Sequence, residues 1–182
     1  MFYCFLATGF EEIEAITTVD MLRRAEVEVA TVCVNKAQLN LVKGAHSIYV
    51  AADMAMEEID FENMEGVILP GGMPGTVNLE ESEGVNKALD YCVENNLYIF
   101  AICAAPQILG HKGILEGKNA TCYPGFESEL KGATLSPLPA VKDCRVITSK
   151  GPGATIDFAA EIITELKGES VAKALKESMQ CV

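Results

Sequence analysis

A single cysteine, Cys103, stands where an apolar strand pattern gives way to a helix pattern. Residues 97–102 are the most apolar run of the chain, and residues 104–111 predict a helix that tolerates Pro106 in its first turn. Such a junction resembles the nucleophile elbow, a tight turn that pushes its side chain out of the sheet. The helix N-terminus above it is expected to lower the pKa of a thiol. Cys103 is therefore either a reactive thiolate or a structural buried cysteine.

A glycine pair, Gly71-Gly72, follows the short apolar run at residues 66–69. Without Cβ atoms, both backbone amides could approach a ligand closely, and with the amide of Ala104 they would form an oxyanion hole. The alternative is a tight turn that requires positive φ.

Three acidic residues, Glu11, Glu12 and Glu14, occupy the first turns of a helix predicted over residues 11–25. Acids at this position are commonly a solvated face that complements the helix dipole. Glu14 differs in phase, because it lies at the edge of the apolar stripe expected from Ile16, Val19 and Leu22. Against a thiolate its carboxyl would stay protonated near neutral pH, which makes Glu14 a candidate general acid and base.

Neither histidine supplies an obvious base for a cysteine hydrolase. His111 lies eight residues beyond Cys103 on the predicted helix, roughly 12 Å away and out of hydrogen-bonding reach. His46 lies in a polar excursion over residues 38–50 that we interpret as a hairpin, and nothing in the sequence places it near the cysteine.

Charge and cysteine content exclude several classes of protein. The net charge of −12 opposes binding to nucleic acid and to anionic membranes. Seven cysteines, an odd number without C-x-x-C spacing, disfavour a disulfide scaffold or a zinc module, and no metal is expected. The first residues lack the basic start of a secretory leader, and no window predicts a membrane span. We therefore expect a cytoplasmic protein, with Cys4, Cys33, Cys92, Cys122 and Cys144 as packing residues.

Alternating strand and helix patterns predict an α/β, flavodoxin-like, doubly wound sandwich with a mostly parallel sheet and helices on both faces. In such a sheet the carboxyl ends of the strands carry the functional residues, which brings Glu14, Gly71 and Cys103 to one edge. Strands are predicted near residues 2–7, 27–34, 66–69, 97–102, 119–122 and 144–148, and helices over 11–25, 83–95, 104–111, 154–166 and 169–179. The apolar residues at helical spacing on the helix over 83–95 are Val85, Leu89, Cys92 and Val93, and we expect them to pack against the sheet.

Several motifs resemble the ThiJ/PfpI superfamily, and more narrowly the branch of the parkinsonism-associated protein deglycase. They occur in family order and span nearly the whole chain, which is more specific than any one motif. The matching segments are Gly9-Phe-Glu-Glu-Ile-Glu14, Val19-Asp-Met-Leu-Arg-Arg24, Leu69-Pro-Gly-Gly72, Ala101-Ile-Cys-Ala-Ala-Pro106 and Thr148-Ser-Lys-Gly-Pro-Gly153.

The resemblance implies a single ThiJ/PfpI-like (class I glutamine amidotransferase-like) domain over residues 1–182 that forms a homodimer. It assigns the oxidation-sensitive cysteine to Cys103 and the protonated glutamate to Glu14. It places the backbone amides around the reactive cysteine at Gly72 and Ala104, with Gly71 adjacent. It also implies an anion-binding arginine at Arg24, with His46 in place of a second basic residue. A loop from the dimer partner is implied at Gly151-Pro152.

One position departs from the family pattern. Where several relatives carry a histidine near the reactive cysteine, this sequence has Tyr123. A phenol is not a general base at neutral pH, so protease and amidase chemistry is disfavoured.

The expected function is a cofactor-independent enzyme that uses Cys103 and Glu14 on small α-oxoaldehydes or their early protein adducts, as a glyoxalase or deglycase does. The expected partner is thus a small aldehyde, with no nucleic acid and no membrane. Three alternatives stay open: an oxidative-stress sensor or chaperone with an oxidisable cysteine, a cysteine hydrolase, and a non-catalytic family member.

Overall fold

The structure, a computed structural model, describes residues 1–35 and 40–181. Its central sheet has seven strands, and β10 alone pairs antiparallel within it. In order across the sheet, the strands are β10 (Ala140–Asp143), β11 (Val146–Ser149), β7 (Tyr98–Ile102), β6 (Gly66–Leu69), β1 (Phe2–Leu6), β2 (Val29–Cys33) and β5 (Met54–Ala55).

Two further strand pairs lie outside this sheet. An antiparallel hairpin is formed by β3 (Leu41–Lys43) and β4 (Tyr49–Ala51), and a short parallel pair by β8 (Asn119–Ala120) and β9 (Thr134–Leu135). The helices are α1 (Glu12–Arg24), α2 (Gly75–Glu80), α3 (Glu83–Glu94), α4 (Pro106–His111), α5 (Thr155–Lys167) and α6 (Glu169–Ser178), with single 3₁₀ turns at Met56–Glu58, Glu127–Glu129 and Pro152–Ala154.

The sheet is buried on both faces, and β1 shows how its sequence achieves this. Successive side chains of a strand point to opposite faces, so Phe2, Cys4 and Leu6 join the core beneath α1 and α5. Tyr3 and Phe5 join the core beneath α3 and α4. All five residues are buried, which explains why a strand covered on both sides reads as a continuous apolar run.

The predicted α/β flavodoxin-like fold is confirmed by this mostly parallel sheet with helices on both faces. The strand predicted at residues 66–69 has the same bounds in the structure, and the excursion contains the β3–β4 hairpin. Residues 38–39 of that excursion lie outside the described residues.

Three predicted packing residues are exposed instead. Ile16 and Val93 lie on the outward faces of α1 and α3, because each sits at the margin of its apolar stripe. Cys144 forms the turn between β10 and β11 with a positive φ of 55°, and its side chain faces solvent. The sequence patterns also failed to predict α2, β5 and β10, which are short or polar.

The other predicted packing cysteines, Cys4, Cys33, Cys92 and Cys122, are buried, and no disulfide joins cysteines within the described residues. Among the helices of those residues, none is long and apolar enough to cross a membrane.

The loops that follow β1 and β6 are tied together at the carboxyl edge of the sheet. The amide of Glu11 donates to the carbonyl of Gly71 (2.9 Å), and the amide of Gly75 donates to the carbonyl of Gly9 (3.1 Å). Because β7 lies next to β6, the start of α1, the glycine pair and Cys103 meet at this edge.

Packing of α4 depends on Gly110. A Cβ atom at this position would lie 2.1 Å from the carbonyl oxygen of Glu129, so Gly110→Ala forces α4 away from the Glu127–Glu129 turn. We expect the substitution to lower the free energy of unfolding by about 1–3 kcal/mol in urea titrations. Gly153→Ala is the matched control, because a Cβ there has no neighbour within 4 Å. Equal losses in both variants would contradict this account of the packing.

Candidate active site

Cys103 occupies a strained backbone position directly after β7. Its φ of 66° lies in the left-handed region, which residues other than glycine seldom adopt. Two neighbouring segments hold this conformation: the Cys103 amide donates to the carbonyl of Ser149 (2.9 Å), and its carbonyl accepts from the amide of Tyr123 (2.8 Å). Strain that is fixed from both sides characterises functional turns, and this turn has the form of the predicted elbow.

Glu14 is buried against Cys103. Its residue is 1% exposed, and its Oε2 atom accepts a hydrogen bond from the amide of Gly71 (2.8 Å). The Cys103 side chain lies close enough to this carboxyl for each group to shift the pKa of the other. The second oxygen, Oε1, is buried without a hydrogen-bond partner among the described residues.

Burial dominates the electrostatics of the pair. It raises the pKa of Glu14 to about 7, against the opposing hydrogen bonds from Cys103 and Gly71. Burial also raises the pKa of the Cys103 thiol above its ordinary value, and the charge of Glu14 raises it further. Two negative charges cannot be held this close without solvent, so the pair keeps one proton near neutral pH.

The expectation that the helix N-terminus lowers the pKa of the Cys103 thiol is thereby corrected. The amides of Gly72 and Ala104 do lower it, but burial and Glu14 outweigh them. The thiolate therefore forms when Glu14 carries the shared proton, and the two amides then stabilise the charge on sulfur.

The two backbone amides of the glycine pair face different groups, the Cys103 sulfur and the Glu14 carboxyl. The amide of Gly72 points to the sulfur together with that of Ala104, whereas the amide of Gly71 is occupied by Glu14. Gly71 is therefore not an open oxyanion-hole donor, contrary to expectation. A Cβ atom at Gly71 would lie 2.6 Å from the Cβ of Cys103 and 2.8 Å from Oε2 of Glu14, so glycine permits the close contact.

Tyr123 and Gly151 flank the sulfur. A Cβ atom at Gly151 would lie 2.9 Å from the Tyr123 ring and 3.8 Å from the Cys103 sulfur. Pro152 follows and opens the 3₁₀ turn before α5. The resemblance implied that this loop comes from a dimer partner, but the structure places Gly151 beside the cysteine of its own chain. The Tyr123 side chain is exposed, which places it at the entrance to the site.

Arg24 and His46 do not contact Cys103. Arg24 pairs with Asp20 (2.7 Å) at the other end of α1, roughly 15 Å along the helix from Glu14. The His46 ring contacts Glu12 (2.8 Å), which ties the hairpin to the start of α1. The structure therefore leaves these two basic residues outside the site. The residues that it brings together are Cys103, Glu14, the glycine pair, Ala104, Gly151 and Tyr123.

Sequence reasoning missed two positioning residues. Glu11 is the N-cap of α1, and its Oε2 accepts from the amide of Glu14 (2.8 Å), which fixes the first turn that carries Glu14. The three-residue spacing between Glu11 and Glu14 is the signal that could have found this cap. Ser149, which holds the Cys103 amide through its carbonyl, left no such signal because the contact uses only backbone atoms.

The raised pKa of Glu14 predicts that the free energy of unfolding depends on pH. The native state disfavours the charged carboxylate, so wild-type stability should fall as pH rises from about 4.5 to about 7. Glu14→Gln removes this titration, so the wild type should lose on the order of 2 kcal/mol relative to the variant across that range. Urea unfolding at pH 5.0, 6.0 and 7.5 measures the difference, with the exposed Glu177→Gln as control. Parallel pH curves for wild type and Glu14→Gln would contradict the assignment.

Comparison with known proteins identifies a family whose model matches most of the chain. The DJ-1/PfpI family model matches residues 2–165. A Parkinson disease protein 7 homolog of Danio rerio is 34% identical over 175 residues, which cover 94% of this chain and 92% of the relative. The protein named glutathione-independent glyoxalase DJR-1.2 of Caenorhabditis elegans is 32% identical over 167 residues, covering 91% and 87%.

A solved structure shows the same fold over the whole length. Oxidized DJ-1 of Toxoplasma gondii superposes with a TM-score of 0.93 at 29% identity, covering 98% of this chain and 97% of that chain. The resemblance drawn from the sequence motifs is confirmed: this chain belongs to the DJ-1/PfpI family.

Proposed function

We propose that this protein is a cysteine-dependent, cofactor-independent enzyme that acts on small α-oxoaldehydes or their early protein adducts. The observation that carries the proposal is the buried pair of Cys103 and Glu14, which keeps one proton and one negative charge next to two backbone amides. Such a pair can deliver a nucleophile and move protons without a metal or an organic cofactor.

Methylglyoxal illustrates the first half of the reaction. The Cys103 sulfur attacks the aldehyde carbon and forms a carbon–sulfur bond, giving a hemithioacetal. The aldehyde oxygen gains negative charge, which the amides of Gly72 and Ala104 stabilise until a proton from Glu14 neutralises it. Glu14 is then a carboxylate and can act as a base.

The second half moves a hydrogen between neighbouring carbons. Glu14 removes the proton from the former aldehyde carbon and leaves an enediolate. The proton on the former aldehyde oxygen moves to the former ketone oxygen, and Glu14 returns its own proton to the adjacent carbon. The former aldehyde carbon is now oxidised to a thioester and the former ketone is reduced to an alcohol, so no external oxidant or reductant is required. Water hydrolyses the thioester, releasing lactate and restoring the thiol.

Access to the sulfur supports a small substrate. Cys103 is 8% exposed, and Gly151 and Tyr123 lie beside it. Such limited access favours a small electrophile, or the small aldehyde-derived group of a protein adduct, over a bulky one. The name of the Caenorhabditis elegans relative, a glutathione-independent glyoxalase, agrees with this substrate class.

The proposal predicts that lactate formation depends on both members of the pair. With methylglyoxal in metal-free buffer, Cys103→Ser should abolish lactate and Glu14→Gln should lower its rate by roughly 10²–10⁴-fold. Cys144→Ser changes an exposed thiol outside the site and should retain wild-type activity. An enzymatic assay measures the lactate that wild type and the three variants form.

Two outcomes would overturn the proposal. Equal lactate formation by wild type and Cys103→Ser would show that the pair is not responsible. Negligible turnover by wild type, together with selective oxidation of Cys103 by mild peroxide in mass spectrometry, would instead assign the site to redox sensing.

We further propose that the protein acts in the cytoplasm as a homodimer. The supporting observation for the dimer is an apolar face on α1 and the β3–β4 hairpin, where Ile13, Ile16, Ile48 and Tyr49 are exposed. Adjacent exposed apolar side chains of this kind are typical of a protein contact surface. The seven cysteines, none of them in a disulfide within the described residues, are compatible with a reducing compartment.

The proposed contact face makes a direct prediction about assembly. Ile16→Glu places a charge on this face and should shift the protein from dimer to monomer in size-exclusion chromatography with light scattering. Val93→Glu introduces the same change at another exposed apolar residue, on α3, and should leave the dimer intact. A monomeric wild type, or equal dissociation of both variants, would contradict the assignment of this face.

A further inference from the structure

The start of α1 and the loop of the β3–β4 hairpin bring three metal-ligating side chains together outside the Cys103 site. Nδ1 of His46 lies 2.8 Å from Oε2 of Glu12 and 3.8 Å from Oε1 of Glu11. One ligand atom from each of the three residues falls within 4.8 Å of the others. Roughly 3.4 Å separates ligand atoms around a tetrahedral ion with bonds near 2.1 Å, so the cluster is close to that size.

One oxygen of each carboxylate accepts a hydrogen bond from a backbone amide, and the other oxygen faces His46. Oε1 of Glu12 accepts from the backbone amide of His46 (2.7 Å), and Oε2 of Glu11 accepts from that of Glu14 (2.8 Å). These contacts fix both carboxylates in place before any ion binds, which is the preorganisation that a metal site requires.

The remaining oxygen of Glu11 is the independent indication of a ligand. The Glu11 side chain is only 8% exposed, yet its Oε1 makes no hydrogen bond with any described residue and points toward His46. The imidazole of His46, with Nδ1 at 3.8 Å, is the positively charged group that faces this oxygen. A cation between Glu11 and His46 would satisfy it.

Charge and mobility also favour a cation. Two buried carboxylates face a single imidazole, so a negative charge remains even when His46 is protonated. The His46 side chain is 69% exposed, so it can adjust its distance while the two carboxylates stay fixed.

We propose that Glu11, Glu12 and His46 form a binding site for a divalent transition-metal ion such as Zn²⁺ or Co²⁺, with solvent completing the coordination. One imidazole nitrogen and two carboxylate oxygens suit these ions and leave open positions. The ion takes the place of the proton between His46 and the carboxylates, and it links the start of α1 to the hairpin.

Co²⁺ absorption spectroscopy tests the site in the full-length protein under reducing conditions without thiol additives. We expect one equivalent of Co²⁺ to bind with weak visible bands and without the intense near-ultraviolet band of thiolate ligation, and Zn²⁺ to displace it. Because an ion that binds only the folded state stabilises it, Co²⁺ should also raise the melting temperature. His46→Gln and Glu12→Gln should each lose both effects.

His111→Gln is the matched control, since it makes the same substitution at the other histidine. The two ring nitrogens of His111 contact different carboxylates, Glu80 and Glu129, and cannot converge on one ion. This variant should bind Co²⁺ as wild type does. Light scattering on every variant separates loss of metal from loss of the dimer, because His46 lies beside the proposed contact face.

The proposal fails if wild type binds no Co²⁺ at millimolar concentration. It fails equally if His46→Gln binds as wild type does, or if a thiolate band shows that the cysteines hold the ion. None of these outcomes bears on lactate formation, so the metal site and the proposed enzymatic function are tested separately.

Discussion

Two ionisable side chains, Glu14 and Cys103, are buried against each other, and such a pair can hold only one negative charge at low cost. Every nearby feature of the structure fits this constraint. The amides of Gly72 and Ala104 are directed to the sulfur, the amide of Gly71 is directed to the carboxyl, and Glu11 caps the helix turn that carries Glu14. A proton that both groups share is thus a property of the fold rather than of either residue.

The doubly wound sheet supplies the scaffold for this pair. Parallel strands end at one edge, so three loops distant in sequence meet where β1, β6 and β7 stop. Backbone hydrogen bonds then fix the loops to one another, from Glu11 to Gly71 and from Cys103 to Ser149. Because the strain at Cys103 is balanced by contacts from two other segments, the conformation of this residue depends on the whole carboxyl edge.

Much of this arrangement could be predicted from the sequence, and the limits have physical causes. The apolar runs at β1, β6 and β7 identify buried strands, and the abrupt change of pattern at Cys103 identifies the elbow. The thiol pKa was predicted in the wrong direction, because the pattern shows the helix N-terminus but does not show how deeply the sulfur is buried.

Contacts made by backbone atoms or by polar loops leave little trace in a sequence. The amide of Gly71 was assigned to an oxyanion hole because a glycine pair does not reveal which acceptor each amide finds. His46 could not be placed because its partner, Glu12, lies on another element. Ile16 and Val93 were predicted to be buried because a helical stripe has no sharp margin in sequence.

The two edge strands of the central sheet differ from the inner strands in length and in charge, which opposes strand pairing between copies of the chain. The apolar strands β1, β6 and β7 lie in the interior, whereas β5 at one edge has only two residues and β10 at the other carries Lys142 and Asp143. Short or charged edge strands offer a poor template for another strand. The chain is thereby protected against open-ended, edge-to-edge polymerisation through its central sheet.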